Sequence, residues 1–371
     1  MNILVDINHP AHVHLFRNFI SEMRGKGHQV FITVKEIASA RKLLELYKLD
    51  YIPLGKKSDS RFGKIFRQLA YNWEVLRFVK KNKITIGIGS SITIAQVSGI
   101  SGMHSVIFDD DDDAVEPLMV KYGHKYADCI VSPDALVNMN NPRNNNKTVY
   151  YPGGHELAYL HPGRFIPDPS VLTDCGLSEN ERFFILRFNA FKAHHDAGAH
   201  GLSFENKKKL VTLINKTGKV FISSEALLEK EFEPYCLSVS PDKVHSLLAF
   251  ATMFIGDSQT MTSEATVLGT PAIRSNSFVG RISCLEEEEK KYGLTYGFKP
   301  DDTDRMFQKI SELLSLPSLK QDWMNKRYEM LKDKIDVTSF MVWFVENYPE
   351  SFKTLKSRPG CFNLNYSQNI E

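Results

Sequence analysis

The first half of the chain alternates short apolar runs with longer segments in which apolar residues recur every three or four positions. The short runs predict buried β-strands, and the longer period predicts amphipathic helices. The helical pattern is clearest over 13–23, where Phe16, Phe19 and Met23 share one face. Strand–helix alternation of this kind predicts a parallel sheet with helices on both faces. The predicted strands of this half cover residues 3–7, 30–34, 84–88, 106–109 and 129–132.

The second half repeats the alternation, and past residue 300 the chain reads as helical almost to 349. A helix near 338–348 has a strong apolar face made of Phe340, Trp343 and Phe344. We expect this helix to cross back and pack on the first domain. The predicted strands of this half are 183–188, 220–223, 253–256 and 272–274, and its helices are 204–217, 243–251 and 262–268.

A polar, Asn-rich loop at 140–146 and a Pro/Gly-rich stretch to about 170 separate the two halves. A chain of 371 residues exceeds what one hydrophobic core usually serves. We therefore predict an α/β protein of two Rossmann-like domains that face each other across a cleft. The predicted domains are 1–155 and 156–350, and the predicted polar, poorly ordered tail is 351–371.

Composition narrows the function classes. The formal net charge of +2 provides no whole-chain attraction for nucleic acid. The five cysteines form no CxxC pair, which argues against a zinc site or a disulfide framework. We see no signal peptide and no apolar run near the roughly 20 residues of a membrane span, so we expect a cytoplasmic protein. An amphipathic face could still supply a peripheral membrane contact.

The most informative motif follows the predicted strand 253–256. A polar turn leads into a helix, whose free N–H groups and partial positive charge suit a phosphate. Ser258 and Thr260 add hydroxyl groups, and Glu264 lies one turn further, where it can reach a ribose diol. The alternative is a capped helix with a surface glutamate, since Ser and Thr are common caps.

This segment resembles the donor-nucleotide motif of GT-B glycosyltransferases and of non-hydrolysing UDP-N-acetylglucosamine 2-epimerases. The shared features are Asp-Ser at 257–258, Glu-Ala at 264–265 and Gly-Thr-Pro at 269–271. The resemblance implies that Glu264 holds the ribose and that the turn of Ser258, Gln259 and Thr260 holds the diphosphate. Gln259 and Thr260 stand where those families commonly have glycine.

The whole chain resembles a GT-B-like family of polysaccharide gene clusters that carries a domain of unknown function. Three motifs show the likeness: Asn-His-Pro-Ala-His-Val-His at 8–14, Gly-Gly-His-Glu at 153–156 and Ala-His-His-Asp at 193–196. The resemblance implies a nucleotide-sugar donor on the C-terminal domain. It also implies an unknown sugar or lipid-linked acceptor on the N-terminal domain.

The loop after the first strand carries the main candidates for a catalytic base. His12 lies at a helix start, where the dipole favours the neutral imidazole that can accept a hydroxyl proton. His9 and Asp109 are the competing candidates, and His14 is predicted to face solvent. The alternative is that these histidines only cap or decorate the turn.

The acidic run 109–113 follows a predicted strand. Asp109 and Asp110, nearest the strand end, are expected to face the cleft, whereas most of the run suits a solvated turn. Such carboxylates could bind magnesium. GT-B enzymes generally need no metal, so we predict neither a metal nor a cofactor.

Further residues are expected in the cleft or near the leaving diphosphate. Arg187 should contact the diphosphate. Arg274 is left open between a salt bridge and a further diphosphate contact. The other predicted cleft residues are His155, Glu156, Lys192, His194 and His195.

The favoured function is glycosyl transfer from a nucleotide sugar, in surface polysaccharide or glycoconjugate biosynthesis. A sugar-nucleotide 2-epimerase ranks second, because the carboxylates that such epimerases carry are largely missing or displaced in this chain. The third hypothesis is a protein that binds a nucleotide sugar without turnover, since fold alone does not establish activity.

Overall fold

The computed structural model describes residues 1–55, 61–138, 143, 146–178, 180–188, 201–224, 228–360 and 362. The chain forms two compact units. Unit 1 comprises Met1–His161 and the segment from Ile335 onward, and unit 2 comprises Pro162–Lys334. The second domain was predicted to cover 156–350, whereas unit 2 begins at Pro162 and ends at Lys334.

Every strand of the described residues lies in one of two parallel sheets, one per unit. The strands are β1 Asn2–Ile7, β2 Gln29–Val34, β3 Ile52–Pro53, β4 Ile86–Gly89, β5 His104–Phe108, β6 Cys129–Pro133, β7 Thr148–Tyr151, β8 Phe183–Phe188, β9 Lys219–Ser224, β10 Met253–Gly256, β11 Ala272–Ser275 and β12 Thr295–Phe298.

Helices connect these strands and cover the sheets. They are α1 Pro10–Gly25, α2 Ala38–Leu46, α3 Arg61–Asn82, α4 Ile92–Ser101, α5 Pro117–Met119, α6 Leu157–Leu160, α7 Ser170–Asp174, α8 Phe204–Ile214, α9 Val244–Phe250, α10 Gln259–Leu268, α11 Ser283–Lys290, α12 Thr303–Leu314, α13 Leu319–Asp333, α14 Val337–Glu346 and α15 Glu350–Ser357. Among the described residues, no helix is both long and apolar enough to cross a membrane.

Unit 1 has a seven-stranded sheet in the order β3-β2-β1-β4-β5-β6-β7. From β1 the chain first builds outward through β2 and β3, then returns to the other side of β1 with β4. This reversal is the topological switch point of a Rossmann fold, and ligands bind outside the carboxyl ends of the strands there. Unit 2 has the order β12-β11-β10-β8-β9, with its switch point between β8 and β10.

Helix α1 shows how the local sequence places a helix start at the switch point of unit 1. His9 caps it through a hydrogen bond from the Ala11 N–H, and Pro10 occupies the first turn. Proline suits that position because the N–H it lacks would have no helical partner. The predicted apolar face is buried, with Phe16 and Phe19 inaccessible to solvent. The helix start is thereby held at the carboxyl end of β1.

The helix predicted near 338–348 is α14, and it packs on the rest of unit 1, as predicted. Helix α14 contacts α1 and α6, and Phe340 and Phe344 are completely buried. The Thr338 hydroxyl donates a hydrogen bond of 2.6 Å to the Ala158 carbonyl. The predicted polar tail is partly wrong, because α15 begins at Glu350, contacts β7 and buries Leu355.

The predicted fold class, two Rossmann-like α/β halves, is confirmed. Three strands were not predicted from the sequence: β3, β7 and β12. Strand β7 lies in the stretch interpreted as an inter-domain connection, where neighbouring Asn, Pro and Gly residues obscure its four-residue apolar pattern. Tertiary pairing with β6 establishes this strand, which local propensity did not indicate.

Candidate functional site

The switch point of unit 2 brings two predicted site segments together. In the parallel register of β8 and β10, Arg187 lies opposite Gly256, so both strands end at the same place. A Cβ added to Gly256 would lie 2.6 Å from the Arg187 carbonyl oxygen. Glycine is therefore required for the close approach of the two strands. The Asp257 N–H also donates to the Arg187 carbonyl, at 3.2 Å.

The turn after β10 combines the capping and phosphate-binding interpretations. Ser258 is the N-cap of α10, and its Oγ accepts a hydrogen bond of 3.3 Å from the Met261 N–H. Gln259 and Thr260 form the first turn and are half-buried. A helix start offers backbone N–H groups and a partial positive charge to an anion. The turn is therefore equipped to bind phosphate oxygens while it caps the helix.

Glu264 is buried rather than on the surface, with 5% of its area exposed. Its Oε1 lies 2.9 Å from Nε2 of His245, itself a buried residue of α9. His245 was not predicted from sequence, because 19 residues separate it from Glu264 and only the packing of α9 on α10 brings the two together. The contact fixes the orientation of the carboxylate that is predicted to hold the ribose.

Arg187 is half-exposed at the end of β8, and its Nη1 donates a hydrogen bond of 2.7 Å to Ser223 Oγ. The bond holds the guanidinium at the carboxyl ends of β8 and β9. Three predicted cleft residues, Lys192, His194 and His195, lie outside the described residues.

Arg274 belongs to the interior of unit 2. It is completely buried, and its Nη2 lies 2.6 Å from Glu286 and 3.3 Å from Glu289. Both partners belong to α11, so the guanidinium ties β11 to that helix. The geometry favours the salt bridge over the diphosphate contact.

The switch point of unit 1 holds the histidine-rich loop. The Asn8 side chain donates from Nδ2 to the Ser90 carbonyl at 3.0 Å and so links the ends of β1 and β4. The Asn8 backbone N–H donates to Nδ1 of His12 at 3.4 Å. Nδ1 of His9 likewise accepts from the Ala11 N–H, at 3.2 Å. Both rings therefore use Nδ1 as an acceptor.

His12 is neutral at physiological pH. Burial, reinforced by the nearby imidazoles of His9 and His155, lowers its pKa to about 3, although Asp110 and Asp109 oppose the shift. A neutral ring was predicted from the helix dipole alone. Desolvation disfavours the charged form and is the largest cause here.

His14 is not on the surface, which corrects the sequence prediction. It is 7% exposed, lies 3.2 Å from the Tyr47 hydroxyl and stacks on Tyr159 with ring centroids 5.4 Å apart. Helices α2 and α6 both pack on α1, so the side opposite the Phe16 face is also covered.

Asp109 is held by two groups that the sequence analysis missed. Its carboxylate lies 2.6 Å from Nε2 of His124 and 3.2 Å from Nη1 of Arg143. Burial alone would raise the pKa of Asp109, but the guanidinium and the His124 hydrogen bond hold it well below its usual range. A buried carboxylate so stabilised is a poor proton acceptor.

Asp110 pairs with His155, whose Nδ1 lies 3.1 Å from Oδ1. Burial would raise the pKa of Asp110, yet His155 holds it below its ordinary value. His155 follows β7, and the adjacent Glu156 is also buried. A Cβ on Gly154 would lie 2.9 Å from Glu156 Oε2, so this glycine makes room for the glutamate.

Asp111 completes an acidic group at the end of β5. Burial and the neighbouring carboxylates raise the pKa of Asp111 well above its usual value. Oxygens of Asp109, Asp110 and Asp111 lie within 4.8 Å of one another, a spacing that a cation could bridge. Two of these carboxylates already have cationic or imidazole partners. Asp109 contacts Arg143 and His124, and Asp110 contacts His155. That no metal is required stays a prediction.

Two Rossmann-like units of this topology, with helix α14 returning to the first, define the GT-B fold class. The chain belongs to the family described as "Protein of unknown function (DUF354)", whose model matches residues 1–288. No curated protein matches the chain.

Solved structures of low sequence identity share the fold. S. aureus MnaA, solved with UDP, is 12% identical over 95% of this chain and 98% of its own, with a TM-score of 0.66. A spinosyn rhamnosyltransferase, SpnG, complexed with thymidine diphosphate, is 13% identical over 94% and 100%, with a TM-score of 0.61. A UDP-N-acetylglucosamine 2-epimerase is 12% identical over 90% and 94%, with a TM-score of 0.62. Identities this low show the fold alone.

Proposed function

We propose that the protein transfers a sugar from a nucleotide-sugar donor to an acceptor hydroxyl, in surface polysaccharide or glycoconjugate biosynthesis in the cytoplasm. The observation that carries the proposal is the switch point of unit 2. There a guanidinium, the start of α10 and a buried carboxylate lie on adjacent elements. These groups suit a nucleoside diphosphate, because the first two bind phosphate oxygens and the third binds a ribose diol. Bound UDP and thymidine diphosphate in two structures of this fold support it.

The roles follow from the chemistry of the groups. Arg187 and the turn of Ser258, Gln259 and Thr260 bind the diphosphate and stabilise its charge as it leaves. Glu264 binds the ribose. In unit 1, the histidine-rich loop with His9 and His12, and the carboxylates Asp109 and Asp110, form the acceptor side. The reaction requires a group there that removes the acceptor proton.

Epimerisation is the second candidate, supported by the fold shared with a UDP-N-acetylglucosamine 2-epimerase. A panel of nucleotide sugars separates the activities, with and without added sugar or lipid-linked acceptors. Release of free nucleotide that depends on acceptor indicates transfer, and a new sugar nucleotide without acceptor indicates epimerisation. Binding with neither product indicates a binding protein. Activity should survive a chelator, because the proposed roles require no metal.

Glu264→Ala should weaken nucleotide binding by about 1–3 kcal/mol, because the ribose loses its hydrogen bonds to the carboxylate. Titration calorimetry with UDP and thymidine diphosphate measures the change. Glu312→Ala, at an exposed position of α12, is the matched control and should bind normally. Unchanged affinity in folded Glu264→Ala contradicts the assignment.

An exposed stripe on α3 supports a peripheral membrane contact. Phe66, Leu69 and Trp73 are 71%, 59% and 62% exposed and share one helical face. Arg77 and Lys80 continue the same face and are also exposed. Aromatic and basic residues together suit the surface of an anionic bilayer.

We expect the double variant Leu69→Ser, Trp73→Ser to bind anionic phosphatidylglycerol vesicles about tenfold more weakly, since apolar contact area is lost. Vesicle co-sedimentation measures the bound fraction. Leu316→Ser, at an exposed position of unit 2, is the control. Equal binding of the double variant and the wild-type protein would rule out this surface.

A further inference from the structure

The His155 ring has one nitrogen in an ion-pair contact and one for which the described residues provide no hydrogen-bond partner. Nδ1 lies 3.1 Å from the Asp110 carboxylate, while Nε2 is buried and has no hydrogen-bond partner among the described residues. A carboxylate accepts hydrogen bonds and does not donate them. In the neutral ring, the proton therefore sits on Nδ1 and the lone pair is on Nε2. This is the arrangement in which a carboxylate orients a histidine to act as a base.

His12 has the opposite arrangement. Its Nδ1 accepts a hydrogen bond from the Asn8 N–H, so the lone pair of the neutral ring is already engaged. The proton of that ring sits on Nε2, which can donate a hydrogen bond but cannot accept an acceptor proton. His9 accepts at Nδ1 in the same way. Asp109 is held by Arg143 and His124, which leaves His155 as the base that the geometry supports.

The surroundings of His155 suit the role. The His155 side chain is 10% exposed, and its partner Asp110, in the loop after β5, is more open, with 35% of its side chain exposed. The titratable groups that act on this part of the site include His9 and His12 at the start of α1 and Asp109, Asp110 and Asp111 from the β5 loop. His12 is close enough to His155 for the two imidazoles to interact electrostatically, and it stays uncharged.

We propose that the His155–Asp110 pair is the general base of the transfer reaction and that His12 is a hydrogen-bond donor beside it. The inference rests on the proposed glycosyl transfer. The acceptor O–H proton moves to Nε2 of His155 as the oxygen bonds to the anomeric carbon. The bond from that carbon to the diphosphate oxygen breaks, and its electron pair leaves with the nucleoside diphosphate. Asp110 stabilises the imidazolium until it loses its proton to water.

The test compares single variants with an identified donor and acceptor. His155→Gln should lower kcat by about 100- to 10,000-fold, the usual effect of removing a general base. His12→Gln should lower it only about tenfold, because one hydrogen bond is lost. Both should bind nucleotide normally in calorimetry, since the proposed nucleotide site lies in unit 2. His28→Ala, on the opposite edge of the sheet beside Glu346, is the control and should be fully active.

Asp110→Asn separates a catalytic pair from a structural one. The amide keeps the shape of the carboxylate but has no charge to stabilise the imidazolium that forms as the acceptor loses its proton. Asp110→Asn should therefore lower kcat by about 100- to 10,000-fold while KM and nucleotide affinity stay near wild type. A purely structural role would change KM and nucleotide affinity together with kcat.

The outcomes distinguish the two proposals. If the wild-type protein transfers no sugar from any donor, the proposed glycosyl transfer is wrong, and the base assignment that rests on it is wrong as well. If transfer occurs and His155→Gln keeps turnover within about twofold of wild type, only the base assignment is wrong. Nitrogen NMR of labelled histidine adds a readout independent of activity. In the neutral ring, a proton on Nε2 of His155 would overturn the inference, whereas a proton on Nδ1 supports it.

Discussion

Replacing Asp109 with alanine is expected to lower the free energy of unfolding by about 3–5 kcal/mol, the usual cost of breaking a buried ion pair. The Arg143 side chain is 1% exposed and lies 3.2 Å from this carboxylate. Its Nη1 also donates to the Asp109 carbonyl and to Ser132 Oγ, at 3.0 and 2.7 Å. Without Asp109 the guanidinium loses its most buried counter-charge, and His124 loses a partner at 2.6 Å.

Urea denaturation followed by circular dichroism measures this loss. Asp50→Ala, at an exposed position before β3, should change stability by less than about 0.5 kcal/mol. Asp109→Asn keeps the shape of the side chain but not its charge and should show an intermediate loss. If Asp109→Ala unfolds like wild type but abolishes turnover, Asp109 is a catalytic residue rather than a structural one.

Glu288→Gln is expected to stabilise the protein at alkaline pH and to have little effect at acidic pH. Glu288 is 8% exposed on α11, and burial raises its pKa to about 7, although hydrogen bonds from Thr266 and Ser263 partly oppose the shift. The carboxyl group is therefore tolerated in the fold as the neutral acid. The stability that this raised pKa contributes is fully present below about pH 4.5 and is lost as pH rises through about 7.

The rise from 4.5 to about 7 corresponds to about 3.5 kcal/mol at 1.4 kcal/mol per pKa unit. The glutamine variant should match wild type near pH 4.5 and exceed it by about this amount at pH 9. Unfolding by urea across this range measures the difference. Glu329→Gln, at an exposed position of α13, is the control and should show no such trend. A difference between Glu288→Gln and wild type that does not change with pH would refute the prediction.

The elements that follow from local pattern were predictable. Strands β8 and β10 lie at the predicted residues, and α14 packs on unit 1 through the predicted Phe340 and Phe344. The motif at 256–271 predicted the strand, turn and capped helix of unit 2. These features depend on residues close in sequence, whose period and turn chemistry are readable without the fold.

The partners of the site residues were not predictable. Glu264 looked like a surface glutamate or a ribose ligand, and only the packing of α9 on α10 places His245 beside it. Asp109 looked like a base, but His124 and Arg143 reach it from 15 and 34 residues along the chain. A side chain's charge and burial depend on neighbours that the fold brings from distant segments.

Local patterns in the sequence predict two Rossmann-like α/β halves and the loops at which polar side chains gather. These features are predictable because hydrophobic period, capping residues and glycine positions act within a few residues. Which ring nitrogen of His12 and of His155 is available could not be predicted from sequence. That depends on a backbone N–H beside His12 and on a carboxylate beside His155, which β5 and β7 bring together across 45 residues of chain.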